Sequence, residues 1–377
     1  MRFDVTQVLD AIERHLTTEA ALAQAVVDIG QVSWFDALDG GRPVNLLRVG
    51  LLVDGLARHL GEDAIMIYPV AGRELLTDAD LTSKERMVLG RWAGDGLIEV
   101  VPSIGDRVAE VADLTGLPVV TRDGYPGLEG RYPWLRGQPD RVLRLMPGEG
   151  AARIVGGQPM AAQPDGPGVV LLSRVWRCPR RDCPTFGERR GMTQSVPHMR
   201  SGVPACPRHD EPLINAGPRP PAVAMALVVD GTVRERFVVR VGRPVTVGRS
   251  PDDPDGLMIG AHLSGDAAQM ISRNHVRIEL RDDVLLATDL STNGTVVRSR
   301  SGPYTPAEEV HLSGGAPHPL QPWDSLELHT GVVVSRADRS LTRSAGGPGS
   351  VMGDAPTISL GPSMPLRELG SEYGPRF

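Results

Sequence analysis

The chain is poor in cysteine and in long apolar runs, and each shortage excludes a class of protein. Three cysteines in 377 residues cannot build a framework of disulfides. No apolar run approaches the length that crosses a membrane, and the start Met1-Arg2-Phe3-Asp4 lacks the pattern of a signal peptide. The sequence therefore predicts a cytoplasmic protein without membrane spans.

Aromatic side chains are also scarce, and the chain has no net positive charge. Aromatic residues make up 4% of the chain, whereas there are 44 glycines and 33 prolines, which is typical of several domains joined by flexible connectors. The net charge of −6 argues against non-specific nucleic-acid binding by the whole chain. A length of 377 residues exceeds one ordinary core and indicates two or three domains.

Changes in pattern along the chain predict a multidomain protein that combines α/β and all-β domains. The expected segments are N-terminal helices over 1–43, an α/β domain over 44–147, a linker over 148–168, a zinc-ribbon-like segment over 169–213, a β-sandwich over 222–338 and a disordered tail over 340–377.

The first 147 residues predict helices followed by alternating strands and helices. Residues 5–30 carry apolar side chains at three-to-four spacing and are expected to be helical. Strand–helix alternation after them favours a mainly parallel sheet. The expected strands are 46–53, 64–68, 97–101, 118–121 and 141–145, and the expected helices are 82–94 and 106–115.

Acidic residues follow three of these expected strands: Asp54, Asp106 and Asp123. The carboxyl ends of parallel strands meet at one edge, where sites are built. Converging carboxylates need a divalent cation, and oxygen ligands suit Mg²⁺ or Mn²⁺, which activate water for phosphodiester cleavage. The alternative is that Asp106 caps a helix and that the other two acids belong to ordinary turns.

The same region resembles the PIN/NYN-like ribonucleases over roughly 46–145. The similar landmarks are Val-Asp-Gly at 53–55, Tyr-Pro at 68–69, Val-Pro-Ser at 101–103, Gly-Asp-Arg at 105–107 and Val-Thr-Arg-Asp-Gly-Tyr at 120–125. The resemblance implies that Asp54, Asp106 and Asp123 ligate a catalytic metal, with RNA as substrate. Ala57 stands where the family usually has Asn.

All three cysteines fall in the middle segment, as Cys178-x4-Cys183 and Cys206-x2-His209. Thiolates and an imidazole at such spacing suit a tetrahedral structural Zn²⁺ in a small ribbon. His198 is a spare candidate ligand without a paired partner. Three unrelated cysteines in a flexible segment are the alternative. The nearby arginines, of which Arg180 and Arg181 are two, fit a solvated loop, RNA phosphates or an acidic partner equally well.

Three short polar patches punctuate β-like runs in the last third of the chain. They are Val247-Gly248-Arg249-Ser250, Ser272-Arg273-Asn274-His275 and Ser291-Thr292-Asn293-Gly294-Thr295. Two guanidinium groups, hydroxyls and an amide are the groups that bind a phosphate and hold an extended peptide beside it.

This order of patches resembles the forkhead-associated (FHA) domain, a β-sandwich that binds phosphothreonine peptides through loops at one end. The resemblance covers roughly 222–338 and implies that Arg249 and Ser272 bind the phosphate and Asn293 the ligand backbone. Arg273 supplies a second guanidinium and Thr292 supports the same loop, whereas Gly248 and His275 match structural positions. An FHA-like fold that has lost its ligand is the alternative.

The sequence thus predicts a signalling or adaptor protein that recruits its α/β domain to partners phosphorylated by a Ser/Thr kinase. The alternative function is a metal-dependent endoribonuclease regulated through the FHA domain. The expected tail contains Thr342 and Thr357. Either, once phosphorylated, is a candidate intramolecular ligand, favoured by its high effective concentration.

Overall fold

The computed structural model describes residues 5–148, 152–157, 167–187, 195–300, 305–312 and 315–337. These residues form an N-terminal α/β domain, a cysteine-bearing segment and a C-terminal β-sandwich. Within them, every helix is too short or too polar to cross a bilayer. The expected disordered tail, 340–377, lies outside the described residues.

A six-stranded sheet forms the centre of the α/β domain, in the order β3-β2-β1-β4-β5-β6. The first five strands are parallel and β6 runs antiparallel to β5. The mixed α/β prediction is therefore confirmed, and the carboxyl ends of β1 to β5 lie at one edge. The strands are β1 (Ala25–Asp28), β2 (Ile67–Gly72), β3 (Glu99–Val101), β4 (Val119–Thr121), β5 (Val142–Met146) and β6 (Arg153–Val155).

Helices cover both faces of this sheet and bury two apolar clusters against it. The helix predicted over 82–94 is present as α5, and Thr82 and Glu85 form a capping box at its start. The helices are α1 (Val5–Glu13), α2 (Ile29–Ser33), α3 (Arg48–Leu60), α4 (Arg73–Leu76), α5 (Ser83–Gly94), α6 (Arg107–Thr115), α7 (Trp134–Gly137) and α8 (Pro167–Leu172).

The prediction of helix over 5–30 is wrong from Arg14 to Asp28. Ala25–Asp28 is instead the central strand β1, between β2 and β4, and all four of its residues are buried. A parallel strand that is covered on both faces reads as a continuous apolar run rather than an alternating one. Such a run also fits helical spacing, so the pattern could not distinguish the two.

The prediction of a strand over 46–53 is also wrong, because these residues lead into helix α3. The helix ends at Gly61, which adopts a left-handed conformation with φ 69°. Gly55 is buried within α3, where a Cβ atom would lie 2.9 Å from the carbonyl oxygen of Ala152. Glycine at this position lets the helix approach the chain that enters β6.

The segment expected to be a linker contributes to the domain. β6 lies within 148–168 and its Ile154 is buried in the core. The residues that follow, at the start of the segment expected over 169–213, are divided between α8 and β7 (Arg174–Arg177). Elements this short leave little periodicity in the sequence.

The cysteine-bearing segment is built from two small antiparallel pairs, β7 with β10 (Ile214–Pro218), and β8 (His198–Arg200) with β9 (Val203–Ala205). A buried charge network attaches it to the α/β domain. Arg107 of α6 pairs with Glu99 at 2.5 Å and with Glu110 at 2.7 Å, and it also donates to the carbonyl oxygens of Val196 and Pro197.

The C-terminal third folds as two sheets packed face to face, in the orders β12-β11-β21-β20-β17-β18 and β14-β13-β15-β16-β19. Apolar side chains from both sheets meet in one core, and the all-β prediction is confirmed. The elements are β11 (Ala222–Val229), β12 (Thr232–Arg240), β13 (Val245–Gly248), β14 (Leu257–Met258), α9 (Gly265–Met270), β15 (Val276–Arg281), β16 (Val284–Asp289), β17 (Thr295–Ser299), β18 (Glu308–Leu312), β19 (His318–Leu320), β20 (Ser325–His329) and β21 (Val332–Arg336).

The sandwich is docked on the α/β domain through its edge strand β12. The carbonyl oxygen of Val233 accepts hydrogen bonds from the amides of Asp63 and Ala64, each at 3.1 Å. Three arginines of this strand pair with acids of the α/β domain. The pairs are Arg234–Asp63, Arg236–Glu62 and Arg240–Glu19.

Candidate functional site

The three polar patches lie together at one end of the sandwich. The first follows β13, the second precedes β15 and the third connects β16 to β17. β13 and β15 are antiparallel neighbours, as are β15 and β16. The end of β13, the start of β15 and the end of β16 therefore adjoin. We call these three connections the polar loops: 248–251, 271–275 and 290–294.

Backbone contacts hold the first two loops in close approach. The amide of Arg249 donates to the carbonyl oxygen of Ser272 at 3.0 Å, and the amide of His275 donates to that of Val247 at 3.0 Å. A Cβ atom on Gly248 would lie 1.9 Å from the carbonyl oxygen of Arg273. Only glycine fits between the loops without moving the backbone.

The side chains on these loops present polar groups at the surface. Arg249 is exposed, and its Nη1 donates to the carbonyl oxygen of Ala268 at 2.7 Å. Ser272 Oγ accepts from the amide of Thr292 at 3.1 Å, so the hydroxyl proton remains available for a ligand. Asn293 Nδ2 donates to the carbonyl oxygen of Met270 at 2.7 Å.

Arg273 differs from the other basic groups of this end. It is exposed, and its side chain makes no hydrogen bond or ion pair with the residues that the structure describes. Its guanidinium can therefore meet an anion without first breaking an internal contact. Arg249 also keeps donors free, since a guanidinium has five N–H groups and Ala268 takes one.

The third loop is shaped by Asp289, which the sequence reasoning missed. Asp289 Oδ1 accepts from Ser291 Oγ at 2.7 Å and from Thr295 Oγ1 at 2.8 Å. Ser291 Oγ in turn accepts from the amide of Gly294, whose φ is 86°. An acid two residues before a serine is the sequence signal for such an Asx-type turn. The turn places Asn293 at the exposed tip.

His275 is a structural residue of the same site. It is fully buried, and its Nδ1 accepts from the amide of Ser272 at 3.1 Å. Burial lowers the pKa of His275, although Asp289 opposes this shift. The imidazole is therefore neutral near pH 7 and orients Ser272 without adding charge to the polar loops.

The cysteine-bearing segment brings together the four residues that the sequence singled out. One ligand atom from each of Cys178, Cys183, Cys206 and His209 lies within 4.8 Å of the others. Cys178 Sγ is 3.4 Å from His209 Nδ1. The hydrogen bond from Cys206 lowers the pKa of the Cys183 thiol to about 5. This set of three thiols and one imidazole can hold a metal ion.

His198 lies outside that cluster. Its Nδ1 is 2.7 Å from Glu110 Oε2, and the amide of Met199 donates to Glu110 Oε1, also at 2.7 Å. Burial opposes ionisation of Glu110, but the hydrogen bond from His198 and the charge of Arg107 lower its pKa to about 2. His198 thus serves the network that joins the segment to the α/β domain.

The three acids expected to bind a metal do not come together. Asp54 is inside helix α3 rather than at the end of a strand, because the strand predicted before it is helical. Asp106 pairs with Arg131 and accepts from the Tyr132 hydroxyl at 2.9 Å, and Asp123 pairs with Arg122 at 2.9 Å. Among the described residues, only the cysteine–histidine cluster gathers three or more potential ligands of these kinds.

The acid that does follow the central strand is Asp28, which the sequence reasoning missed. It is 8% exposed at the end of β1, and its Oδ1 caps α2 by accepting from the amides of Gly30 and Gln31. Burial raises its pKa, and these two amides oppose that shift. The run Ala-Val-Val-Asp before Ile29-Gly30 was the available signal, but it was read as part of a helix.

Comparison with known proteins assigns the C-terminal part of the chain. Residues 245–329 match the model of the FHA domain family. No curated protein matches the chain.

Three solved structures illustrate the similarity. The MEK1 FHA domain is 20% identical, covering 31% of this chain and 88% of its own, with a TM-score of 0.23. The FHA domain of human APLF, solved with an XRCC1 bisphospho peptide, is 17% identical, with coverage of 30% and 97% and a TM-score of 0.23. The FHA domain of CT664 from Chlamydia trachomatis is 22% identical, with coverage of 31% and 98% and a TM-score of 0.23. It is the family model that places an FHA domain at residues 245–329.

Proposed function

We propose that this chain binds threonine-phosphorylated proteins through its FHA domain and acts as a signalling or adaptor protein. One observation carries the proposal. Three loops that are far apart in sequence present Arg249, Ser272 and Asn293 at one end of the sandwich, and the guanidinium of Arg273 stands exposed beside them.

The proposed roles follow from the chemistry of each group. A phosphothreonine carries nearly two negative charges and three acceptor oxygens. Arg249 and Ser272 donate to these oxygens, and Arg273 supplies a further charge-assisted contact. The Asn293 amide, which Met270 holds at the loop tip, pairs with the backbone of the extended peptide, while Thr292 keeps Ser272 in place through its own amide.

We also propose that the α/β domain is the module that such docking recruits, with the PIN/NYN-like character that its motifs resemble. Its support is a parallel sheet with acids after the neighbouring strands β1 and β4, namely Asp28 and Asp123. RNA is the partner class this resemblance implies. The separation of Asp54, Asp106 and Asp123 gives the endoribonuclease alternative no support, so we do not advance it as a second function.

For the cysteine–histidine cluster we propose a structural Zn²⁺. Three sulfur ligands and one imidazole nitrogen are the donor set that zinc prefers, and four protein ligands leave no open position for catalysis. The ion would hold together two short loops that bury little apolar surface of their own.

Titration of the whole chain with a degenerate phosphothreonine peptide library tests the proposed function. We expect binding that needs the phosphate and that Arg249→Ala weakens by about 10- to 100-fold, the worth of a strong charge-assisted hydrogen bond. Arg277→Ala is the matched control, because Arg277 is an exposed arginine on β15 that pairs only loosely with Glu279, at 3.7 Å. Equal binding of the unphosphorylated library would contradict the proposal.

A further inference from the structure

The sheet formed by β7 and β10 in the cysteine-bearing segment has one packed face and one open face. Trp176 of β7 packs against buried residues of the fold, and its Nε1 donates to the carbonyl oxygen of Leu171 at 2.8 Å. Neighbouring positions of a strand face opposite sides of the sheet, so Arg177 lies on the other face. Ile214 of β10 stands in register with Arg177 and is 57% exposed. Among the described residues, none covers these two side chains on the open face.

A groove of about 420 Å³ lies on this open face, beside the cysteine–histidine cluster. Of the described residues that line it, two are arginines and none is an acid. The lining residues are Arg177, Cys178, Pro179, Arg181, Ile214 and Ala216. We call it the arginine groove. Its combination of guanidinium groups with an exposed apolar side chain is the chemistry that recognises acidic motifs.

The positive charge of this segment exceeds what its own acids neutralise. Over 167–187 and 195–218 the structure describes six arginines and three acids. One of these acids, Glu211, is already paired with Arg180 at 2.9 Å. The side chain of Arg177 makes no hydrogen bond or ion pair with the described residues. Since the whole chain carries a net charge of −6, the segment is a local basic region on an acidic protein.

Nucleic acid and acidic protein are the two classes of anionic partner that compete for such a surface. Single-stranded nucleic acid binds with its bases stacked on aromatic side chains beside the positive charge. In the described part of this segment both aromatic side chains are turned away, because Trp176 packs inward and Phe186 is buried. Ile214 offers an apolar contact but no ring on which a base can stack. The observations therefore favour an acidic peptide that also carries an apolar side chain.

We propose that the arginine groove docks an unphosphorylated acidic segment of a partner protein. Its carboxylates would contact Arg177 and Arg181, since a guanidinium donates two parallel hydrogen bonds to a carboxylate. An apolar side chain of the same segment would pack on Ile214 and remove both surfaces from water. This contact is independent of the proposed phosphothreonine site, because it uses another part of the chain and needs no phosphate. It gives the protein a second way to hold a partner, one that does not depend on a kinase.

Peptide binding to the full chain tests this proposal. The probe comes from a library of short unphosphorylated peptides in which every position is glutamate, leucine or glycine. The tightest binder is labelled with a fluorophore, and its dissociation constant is measured by anisotropy. We expect this peptide to carry a leucine next to glutamates. Ile214→Ser should weaken its binding by about 10-fold or more, because the variant loses the apolar contact, and Arg177→Gln should weaken it by about 5-fold.

Each of these variants has a matched control in the same segment. Arg174→Gln alters an exposed arginine of β7 that alternates with Trp176 rather than with Arg177. Val203→Ser alters a valine of β9 that is 51% exposed, away from the groove. Both controls should bind the probe as the wild-type chain does. All four substituted side chains are exposed, so the variants should keep the fold.

Four results would overturn the inference, and none of them bears on phosphothreonine binding. The first is failure of every library peptide to bind the wild-type chain. The second is equal weakening by a test variant and its control, which would show attraction to net charge alone. The third is loss of probe binding in Arg249→Ala, which would place the peptide at the polar loops. The fourth is binding of oligouridylate with the same dependence on Arg177 and Ile214, which would assign the groove to RNA.

Discussion

The α/β domain and the FHA domain both carry clusters of charged side chains, but they place them in opposite environments. In the α/β domain Arg107, Glu99 and Glu110 are at most 5% exposed in their side chains, and each is paired within the network. In the FHA domain Arg249 and Arg273 are exposed at the loop tips, and most of their donors are free for a ligand.

The difference separates charges that hold a fold from charges that we propose to bind a ligand. A buried charge whose partner is removed is costly, since water cannot replace the lost contact. Loss of an exposed guanidinium's ion pair changes stability little, because water solvates the charge. The orientation of the guanidinium, however, determines its hydrogen bonds to a bound phosphate. Substitutions in the α/β network and in the cysteine cluster should therefore change the stability of the protein. Substitutions in the polar loops should instead change ligand binding.

The largest effect is expected at the cysteine cluster. Cys206→Ser removes a fully buried thiol of the proposed zinc site, and structural zinc contributes on the order of 10 kcal/mol to folding in small domains. We expect the variant to lose its zinc and the segment over 169–213 to become sensitive to protease. Metal content by mass spectrometry and limited proteolysis measure this.

The control is His198→Gln, which alters a histidine of the same segment outside the cluster and should keep the metal. A wild-type chain that contains no zinc after purification without chelator would contradict the assignment.

The buried charge network should give the next largest effect. The pKa of Glu110 is lowered from 4.5 to about 2, which corresponds to about 3 kcal/mol of stability. Because the folded-state pKa is the lower one, this stability is present above pH ~4.5 and is lost as the pH falls toward 2. At pH 7, Glu110→Gln should lack this stability, as measured by urea unfolding. Between pH ~4.5 and ~2 its stability should fall less than that of the wild-type chain.

Glu309→Gln is the matched control, since Glu309 pairs with Arg298 at the surface, where its side chain is 51% exposed. It should cost less than about 1 kcal/mol. If both substitutions had the same effect, the contrast between buried and exposed charges would not hold.

Gly248→Ala tests the close approach of the polar loops, and we expect an intermediate effect on stability. The new Cβ would collide with the carbonyl oxygen of Arg273, so the loops must separate, at a cost of about 1 to 3 kcal/mol. Phosphopeptide affinity should fall by more than this loss of stability can explain, because the loops of the folded variant are displaced from one another. Calorimetric titration of the folded variant measures it.

Gly90→Ala is the corresponding control, since Gly90 lies in α5 with open space around its Cβ direction. Alanine there should stabilise the helix by about 1 kcal/mol and leave peptide binding unchanged. Normal peptide affinity in Gly248→Ala would show that close approach of the loops is not required.

The smallest effect is expected at Asp123. Its ion pair with Arg122 is nearly half exposed on both sides, so Asp123→Asn should change stability by less than about 1 kcal/mol. Titration with Mn²⁺ and an RNA cleavage assay accompany the unfolding measurement. Metal-dependent RNA cleavage by the wild-type chain that is abolished by Asp123→Asn would contradict the contrast between the two domains. It would show that charged residues of the α/β domain also bind a ligand.

The sequence predicted the FHA domain better than the α/β domain for a physical reason. Strands such as Val276–Arg281 have one face in the core and one in water, so polar and apolar residues alternate. The Asn-Gly pair after Thr292 marks its turn directly. In the α/β domain, Ala25–Asp28 is covered on both faces and gives no such signal.

The candidate sites differ in the same way. The cysteine cluster and the polar loops were predicted because their residues lie in short, distinctive sequence patterns. The structure brings the residues of each set close together. Asp54 was misplaced because its site depended on the strand before it, which is helical. Asp289 and Asp28 were missed because a single acid carries no pattern until its neighbours in space are known.

The docking of β12 has a practical consequence for fragments of this protein. Arg234, Arg236 and Arg240 are neutralised by acids that belong to another domain. A sandwich expressed alone would display these three arginines as an uncovered basic stripe, ready to attract any polyanion in the tube, nucleic acid included. Ligands found with such a fragment could bind only because truncation exposes these arginines. Pull-down experiments should therefore use a chain that retains residues 5–337.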